Sequence, residues 1–300
     1  MTEIEILRQN LLIDPSLHVW GWEIALYLFL GGIAAGVMIL AGATASRESR
    51  AARLLIFAAP IALSLGMLAL FIDLESKSHV FRFYTAFRIT SPMSWGAWIL
   101  LLIYPATILL GITQFEMRGW PGRAVTFARK HESPLRRLNI ALGIALGAYT
   151  GILLGTLTAR AAWSSLFLAP LFLASGISAG AAMAMLLPVS ESERDSFRRW
   201  DLIAIAAEVL VLAFFFVDLV SAGGARGRAA ASLFFGGPYT SVFWSLVVIA
   251  GLAVPMVLEM VEARRRVHVA LAPVLVLMGG LSLRWIFVLA GQAPLWAGVR

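Results

Sequence analysis

This 300-residue chain has no cysteine, which excludes disulfides, thiol chemistry and iron–sulfur ligation by its own side chains. Its four histidines, His18, His79, His131 and His268, all fall at the ends of apolar blocks or between them. A transmembrane pair of b haems, which needs axial ligands projecting from helices into a bundle, therefore has nothing to hold it. The only lysines, Lys77 and Lys130, also lie between blocks, so no intramembrane Schiff base of the retinal kind can form. No spacing of His, Cys or carboxylate suggests a metal site. Charge itself is scarce: 14% of residues are charged against 60% hydrophobic, and the mean hydropathy is +0.85. A soluble domain of this size needs far more polar surface, so the composition indicates an integral membrane protein.

Apolar blocks long enough to cross a bilayer core run at about 19 to 45, 54 to 74, 94 to 115, 138 to 158, 164 to 187, 202 to 222, 241 to 261 and 269 to 291. They are continuous rather than alternating, which excludes a barrel and predicts an all-α fold of eight transmembrane helices. Glu3, Glu5, Arg8 and Asp14 precede the first block where a signal peptide would be basic, so that block is expected to stay as a helix. Residues 1–18 form an N-terminal arm, readable as an interfacial amphipathic helix, a docking arm or a frayed terminus.

The net charge of +7 does not point to nucleic acid once it is mapped onto the connections. Those after blocks 1, 3, 5 and 7 hold 15 basic residues, among them Arg47, Arg50, Arg136, Arg194, Arg198 and Arg264, whereas the opposite side, with both termini, holds 8. The positive-inside rule then places both termini outside the cytoplasm, in a bacterial or archaeal inner membrane.

Two halves of the chain share a pattern at an offset of about 145 residues. Gly32 and Gly36 recur as Gly176 and Gly180, each pair after a Phe-Leu, Phe71-Ile72-Asp73-Leu74 recurs as Phe216-Val217-Asp218-Leu219, and Pro92 with Trp98 recurs as Pro238 with Trp244. The pattern predicts two duplicated four-helix bundles, residues 19–160 and 161–300, in parallel orientation. Glycines repeating every four residues align on one helix face and permit close backbone approach; the run Gly143, Gly147, Gly151 and Gly155 suggests that the fourth helix is central.

Against this background, Glu23, Asp73, Asp218 and Arg284 are ionisable side chains inside apolar blocks, and the alternation of helices places all four toward the same, non-cytoplasmic face. Charge within a span is costly and usually faces an interior, a partner charge or a cavity; the plainer alternative is ion pairing at helix ends. Tyr27 joins Glu23 in the first block, Glu75 and His79 follow Asp73, Tyr149 lies in the outer half of the fourth block with Arg160 and Trp163 beyond it, and Arg284 and Gln292 occupy the outer half of the eighth. Carboxylate, phenol and imidazole are the groups that hydrogen-bond a quinone's carbonyl oxygens and take protons from a quinol. Trp20, Trp22, Trp95, Trp98 and Trp163 read more simply as interfacial belt aromatics. Asp73 and Asp218, one repeat apart, divide naturally into one active and one structural carboxylate. Glu208 and Glu259, deeper toward the other face, suit either stations of a proton path or local partners of Thr or Arg.

The stretches WGWEIALYLFLGGIAAG (20 to 36), SPMSWGAW (91 to 98), AYTGILLG (148 to 155), WSSLFLAPLFLASGISAG (163 to 180) and LRWIFVLAGQ (283 to 292), in this order across nearly the whole chain, resemble the NrfD/polysulfide reductase membrane-subunit family. The resemblance implies a haem-free, quinone-reactive subunit without a metal of its own. It would exchange electrons, on the non-cytoplasmic side, with a ferredoxin-like iron–sulfur subunit, and through it with a molybdenum enzyme or a multihaem cytochrome c. It also implies that Tyr149 belongs to the quinone pocket and that Arg160 with Trp163 matches a basic-then-tryptophan element. The family's polysulfide reductase subunits carry a histidine where this sequence has Tyr27, which leaves Glu23 and Tyr27 as the ligands there.

The combined expectation is a subunit binding menaquinone or ubiquinone, with Glu23, Asp73 and His79 accepting protons and Tyr27, Tyr149, Arg160 and Arg284 holding the quinone. Residues 75–93 and 223–240 would dock the partner. The rival is a secondary transporter or proton conductor, which would place its site near the midplane; a purely structural anchor is the third alternative.

Overall fold

The computed structural model describes residues 20–44, 50–74, 77–79, 85, 91–115, 120–157, 159–265 and 270–293. Among these described residues, eight helices are long and apolar enough to cross a membrane: α1 (Trp22–Thr44), α2 (Arg50–Asp73), α3 (Pro92–Ile112), α4 (Glu132–Gly155), α5 (Leu168–Met185), α6 (Glu191–Ser221), α7 (Thr240–Arg265) and α8 (Leu271–Gln292). No strand occurs among the described residues. The N-terminal arm and His18 lie outside them.

Two helices begin well before their apolar runs. At α6, the Ser190 hydroxyl accepts the Glu193 N–H, while the Glu193 carboxylate accepts the Ser190 N–H at 2.9 Å. This reciprocal cap satisfies donors that a helix start otherwise leaves orphaned, and it extends α6 through the polar stretch preceding residue 202. In the first turns of α4, Glu132 and Arg136 pair at 2.8 Å, one turn apart, and favour extra helix in the same way.

Cross-helix contacts show the alternation of direction. Trp20, just before α1, exchanges two hydrogen bonds with Gln292 at the end of α8. Ser165, before α5, bonds Asp218 near the end of α6. At the other side, Arg194 at the start of α6 donates to the carbonyl of Met185 at the end of α5. Odd-numbered helices therefore start at one face, here the first face, and even-numbered ones end there.

The centre of the assembly is α1 against α5. A methyl group on Gly36 would collide with the Gly176 carbonyl, and one on Gly180 with the backbone of Gly36, so the two repeated glycine pairs meet each other across this crossing and only glycine permits the approach. The α1 span is the most enclosed of the eight, followed by α5. The glycine run of α4 permits the close approach its spacing suggests, packing α4 against Ala35 and Met38 of α1 and Ala169 of α5.

The connections matter at two places. Residues 223–240, expected to dock the partner, contain a short helix (Gly224–Ser232) and form a packed cap with Ala229, Ala230, Ala231 and Phe234 buried and Arg226 and Arg228 exposed. In α7, residues Phe243–Ala253 wind as π-helix, with Pro255 just beyond; such wide turns are rare and concentrate at functional segments.

Candidate functional site

Glu23 lies in the first turn of α1, where a negative side chain favours the helix N-terminus. It is half-buried, and its carboxylate folds back over Gly21. Among the described residues it has no hydrogen-bond partner. One turn deeper, Tyr27 is 3% exposed, with Gly66 of α2 against its ring, and it is partnered. Asp73 ends α2 half-buried and likewise engaged. His79 closes the short turn Lys77–His79; its side chain lies outside the described residues, as does Glu75.

Tyr149 of α4 is 5% exposed. Its phenol end rests on Gly96 of α3, where any Cβ would collide with the Cζ and hydroxyl atoms. That hydroxyl makes no hydrogen bond among the described residues, an uncommon state for a buried polar group and one that suits a ligand's acceptor or donor. Gly31 of α1 touches Thr150 beside Tyr149, and Ala35 lies against Gly147, so both tyrosines lie along the α1–α4 contact with Tyr149 roughly 7 Å deeper than Tyr27. Gly96 was not identified as a site residue from sequence; its place inside SPMSWGAW was the available signal.

Arg160 caps the turn Ala161–Trp163 half-buried and is partnered. Trp163 corrects the belt reading: it is 2% exposed, donates its indole N–H to the Phe287 carbonyl at 2.8 Å and stacks on Trp20 with centroids 5.0 Å apart. Together with the Trp20–Gln292 bonds it clamps α1, α5 and α8 at the first face. Trp22, Trp95 and Trp98, by contrast, are exposed, as belt residues are.

Arg284 stands apart from these groups. It is fully buried, and its guanidinium donates to the carbonyls of Leu28 (3.1 Å), Gly280 (2.9 Å) and Phe172 (3.3 Å) and to the Ser175 hydroxyl (3.0 Å). It lies over the Phe172 ring at 5.3 Å, and a methyl on Gly32 would strike it. Ser175 in turn meets the carboxylate of Glu208, the nearest countercharge. Four of the five N–H groups of Arg284 are thus engaged by α1, α5 and α8, and the side chain ties these three helices together at mid-depth. Asp218, the repeat partner of Asp73, accepts the Ser165 hydroxyl at 2.6 Å, and the same oxygen of Ser165 receives the Phe167 N–H. Its role is to tie the end of α6 to the turn that starts α5.

A second set of buried groups lies near the opposite face. Arg198, Asp201 and Glu208 share one stripe of α6 with Phe197, Ala204, Ile205 and Leu212, and Glu259 and Glu262 face them from α7. Arg198 binds Asp195 at 2.6 Å and approaches Glu262 at 3.7 Å. Asp201 accepts the Ser178 hydroxyl of α5 at 2.5 Å and lies within hydrogen-bonding reach of Glu259. Arg198 and Asp201 were not singled out from sequence as site residues, because they lie in the polar start of α6 that reads as a loop.

A sequence model of the family described as polysulphide reductase, NrfD, matches residues 11–295. The sequence is 30% identical to the C subunit of polysulfide reductase from Wolinella succinogenes, over 91% of its own length and 94% of that protein. It is 31% identical to Protein NrfD of Escherichia coli (strain K12), over 91% and 95%, and 27% identical to a Protein NrfD homolog of Haemophilus influenzae, over 93% and 95%.

Proposed function

The chain belongs to the polysulphide reductase, NrfD family, and from that premise we propose that it is the quinone-reactive membrane subunit of a respiratory oxidoreductase in the inner membrane. The observation that carries the reading is Tyr149, a buried phenol whose hydroxyl has no partner among the described residues, a little over one turn deeper than Tyr27 and walled by aliphatic and aromatic side chains. Such a place fits a ring with a polar oxygen at its edge and an isoprenoid tail in the apolar surround.

Oxidation of a menaquinol or ubiquinol releases two electrons and two protons. Tyr149 hydrogen-bonds one ring oxygen, and Tyr27 with Arg160 orients the other. Glu23, one turn from Tyr27 and without a partner among the described residues, takes a proton toward the first face; Asp73 and His79 flank that exit. Arg284 sets the floor of the site. The electrons leave to an iron–sulfur subunit docked on the first face, which is the non-cytoplasmic one by the distribution of arginines, and onward to a molybdenum enzyme or a multihaem cytochrome c. Duplication of a four-helix unit underlies the arrangement, with the catalytic role kept in residues 19–160.

A transporter would need a substrate site at the midplane, and at that depth the principal charge, Arg284, has four of its five donors engaged by protein acceptors. The deciding experiment purifies the subunit with its associated proteins and adds a menaquinol analogue. Reduction of iron–sulfur signals, blocked by a quinone-site inhibitor and slowed at least tenfold by Tyr149→Phe, is expected. An intact iron–sulfur complex that no quinol reduces would overturn the reading in favour of a transporter or anchor.

A further inference from the structure

We infer that the helix Trp120–Lys130, at the arginine-rich face of the first bundle, binds an anionic phospholipid. Arg123 and Lys130 hold the headgroup phosphate, and Phe127 sits against the glycerol and upper acyl region beneath it. This goes beyond the quinone reading and does not depend on it.

The helix is an addition to the bundle framework. It occupies the connection between α3 and α4, residues 113–131, whereas the matching connection between α7 and α8 is only residues 266–270. Two spans can thus be joined at this face without it. It is nevertheless firmly seated. Val125 and Ala128 are buried on its inner side, and Arg129 donates to the carbonyls of Thr113 (3.1 Å) and Phe115 (3.0 Å), just past the end of α3. Carbonyls at a helix C-terminus lack intrahelical donors, so the guanidinium satisfies acceptors that the end of α3 leaves open. The same bonds fix the helix at the level where the span ends, which is the depth of lipid headgroups.

Its outer side combines cations with an aromatic ring. Arg123, Phe127 and Lys130 follow at spacings of four and three residues, which sets them on one stripe opposite Val125 and Ala128. All three are exposed, Phe127 by 58%, and so is Ala124, one turn before Phe127. The ring is held in place: it lies 4.5 Å from the His131 ring, and His131 Nδ1 donates to the Phe127 carbonyl at 2.9 Å. A phenylalanine fixed outward at this depth is stabilised by acyl chains and not by water. The exposed apolar surface of α2 and α3 reaches the same level at Phe57 and Phe115, whose rings are 5.8 Å apart, so lipid covering those spans continues to Phe127.

The charges select an anionic headgroup. Glu132, the acid nearest in sequence among the described residues, is paired with Arg136 at 2.8 Å, and Arg129 is committed to α3. Arg123 and Lys130 have no acidic partner among the described residues. They stand two turns apart, roughly 10 Å along the axis, and both side chains are long enough to converge on one phosphate while their stems stay against apolar chains. Arg264 and Arg265, at the end of α7, are also exposed on this face, but no aromatic residue shares their turn. General attraction to an anionic leaflet belongs to both places; the fixed ring between two unpaired cations belongs to the first alone.

The test is native mass spectrometry of the full-length protein released from detergent micelles that carry equal amounts of phosphatidylglycerol and phosphatidylcholine. Retained phosphatidylglycerol is expected in roughly tenfold excess over phosphatidylcholine. Inorganic phosphate in millimolar excess should not displace it, because a bare ion lacks the chains that Phe127 meets. Arg123→Gln combined with Lys130→Gln should abolish the preference, whereas Arg264→Gln combined with Arg265→Gln, which removes the same charge from the same face, should leave it. Phe127→Ser keeps the charge and should cut retention roughly threefold. Equal retention of the two lipids, equal losses in the two double variants, or full retention by Phe127→Ser overturns the site and leaves the helix to a soluble partner or to diffuse attraction. Displacement by inorganic phosphate overturns the lipid in favour of a free anion. The lipid comparison and the phosphate challenge use the unsubstituted protein, so they stand even if a variant fails to fold.

Discussion

The two halves of the molecule place their ionisable groups at opposite depths. In α1 to α4 the polar side chains gather near the first face: Glu23, Tyr27, Asp73 and Tyr149. In α5 to α8 the same depth is packed with phenylalanine, and Asp218, the counterpart of Asp73, is bound to Ser165. The buried carboxylates of the second half lie toward the other face instead. At the offset of the sequence repeat, Asp201 and Glu208 correspond to Ile56 and Leu63, which are 3% and 0% exposed and belong to the apolar core of the first half. One helical framework thus accepts either an apolar or an ionisable filling at equivalent positions. The ionisable filling persists only where neighbours supply donors, protons or countercharge.

The sharpest way to break this comparison is to remove the charge that joins the halves. Arg284→Met leaves Glu208 without its countercharge and four acceptors without donors, and should destabilise the protein by about 3–5 kcal/mol, the usual cost of breaking a buried pair. Adding Glu208→Gln should recover part of that loss, as thermal denaturation in detergent would reveal. Next in size, Gly96→Ala forces a methyl group onto the Tyr149 hydroxyl and should cost about 1–3 kcal/mol, with quinol oxidation falling further than stability. Val242, at the equivalent position of the second half, is exposed, and Val242→Ala should leave both readouts within error. A turnover assay run beside a melting curve separates these outcomes.

Smaller still, Asp218→Asn and Asp73→Asn should diverge. The first weakens the Ser165 tie and is expected to lower stability by about 1 kcal/mol while turnover holds; the second should slow quinol oxidation with little change in melting. Equal behaviour of the two would dissolve the distinction between a structural and an active carboxylate. Least of all in stability is Tyr149→Phe, which removes a hydroxyl that makes no hydrogen bond among the described residues and should shift unfolding by less than about 0.5 kcal/mol, yet depress quinol oxidation strongly.

Much of the architecture was legible in the sequence. Each span announced itself as a continuous apolar run, and the repeated glycine pairs marked a close crossing. The helix starts at Glu132 and Glu191 were missed, because capping and one-turn ion pairs extend a helix through polar sequence where hydropathy sees a loop. The candidate residues at helix ends, Glu23 and Asp73 among them, stand out in the sequence as ionisable outliers in apolar blocks. Arg284 was such an outlier too, but its donors turn to Leu28, Phe172, Gly280 and Ser175, partners as many as 256 positions away, which no local pattern reveals. The same holds for Trp163: an isolated tryptophan near a span end reads as interfacial until the Phe287 carbonyl and the Trp20 ring enclose it.

By itself the sequence determined the environment and the number of spans, because transfer of apolar segments into a bilayer depends on each segment's own composition. It also determined the family, because the ordered motifs extend over nearly its whole length. Only the tertiary structure decided which charges meet, that α1 and α5 form the centre, and that Asp201 lies beside Glu259. A buried ionisable group is defined by what faces it across helices, and those partners come together only when the helices pack.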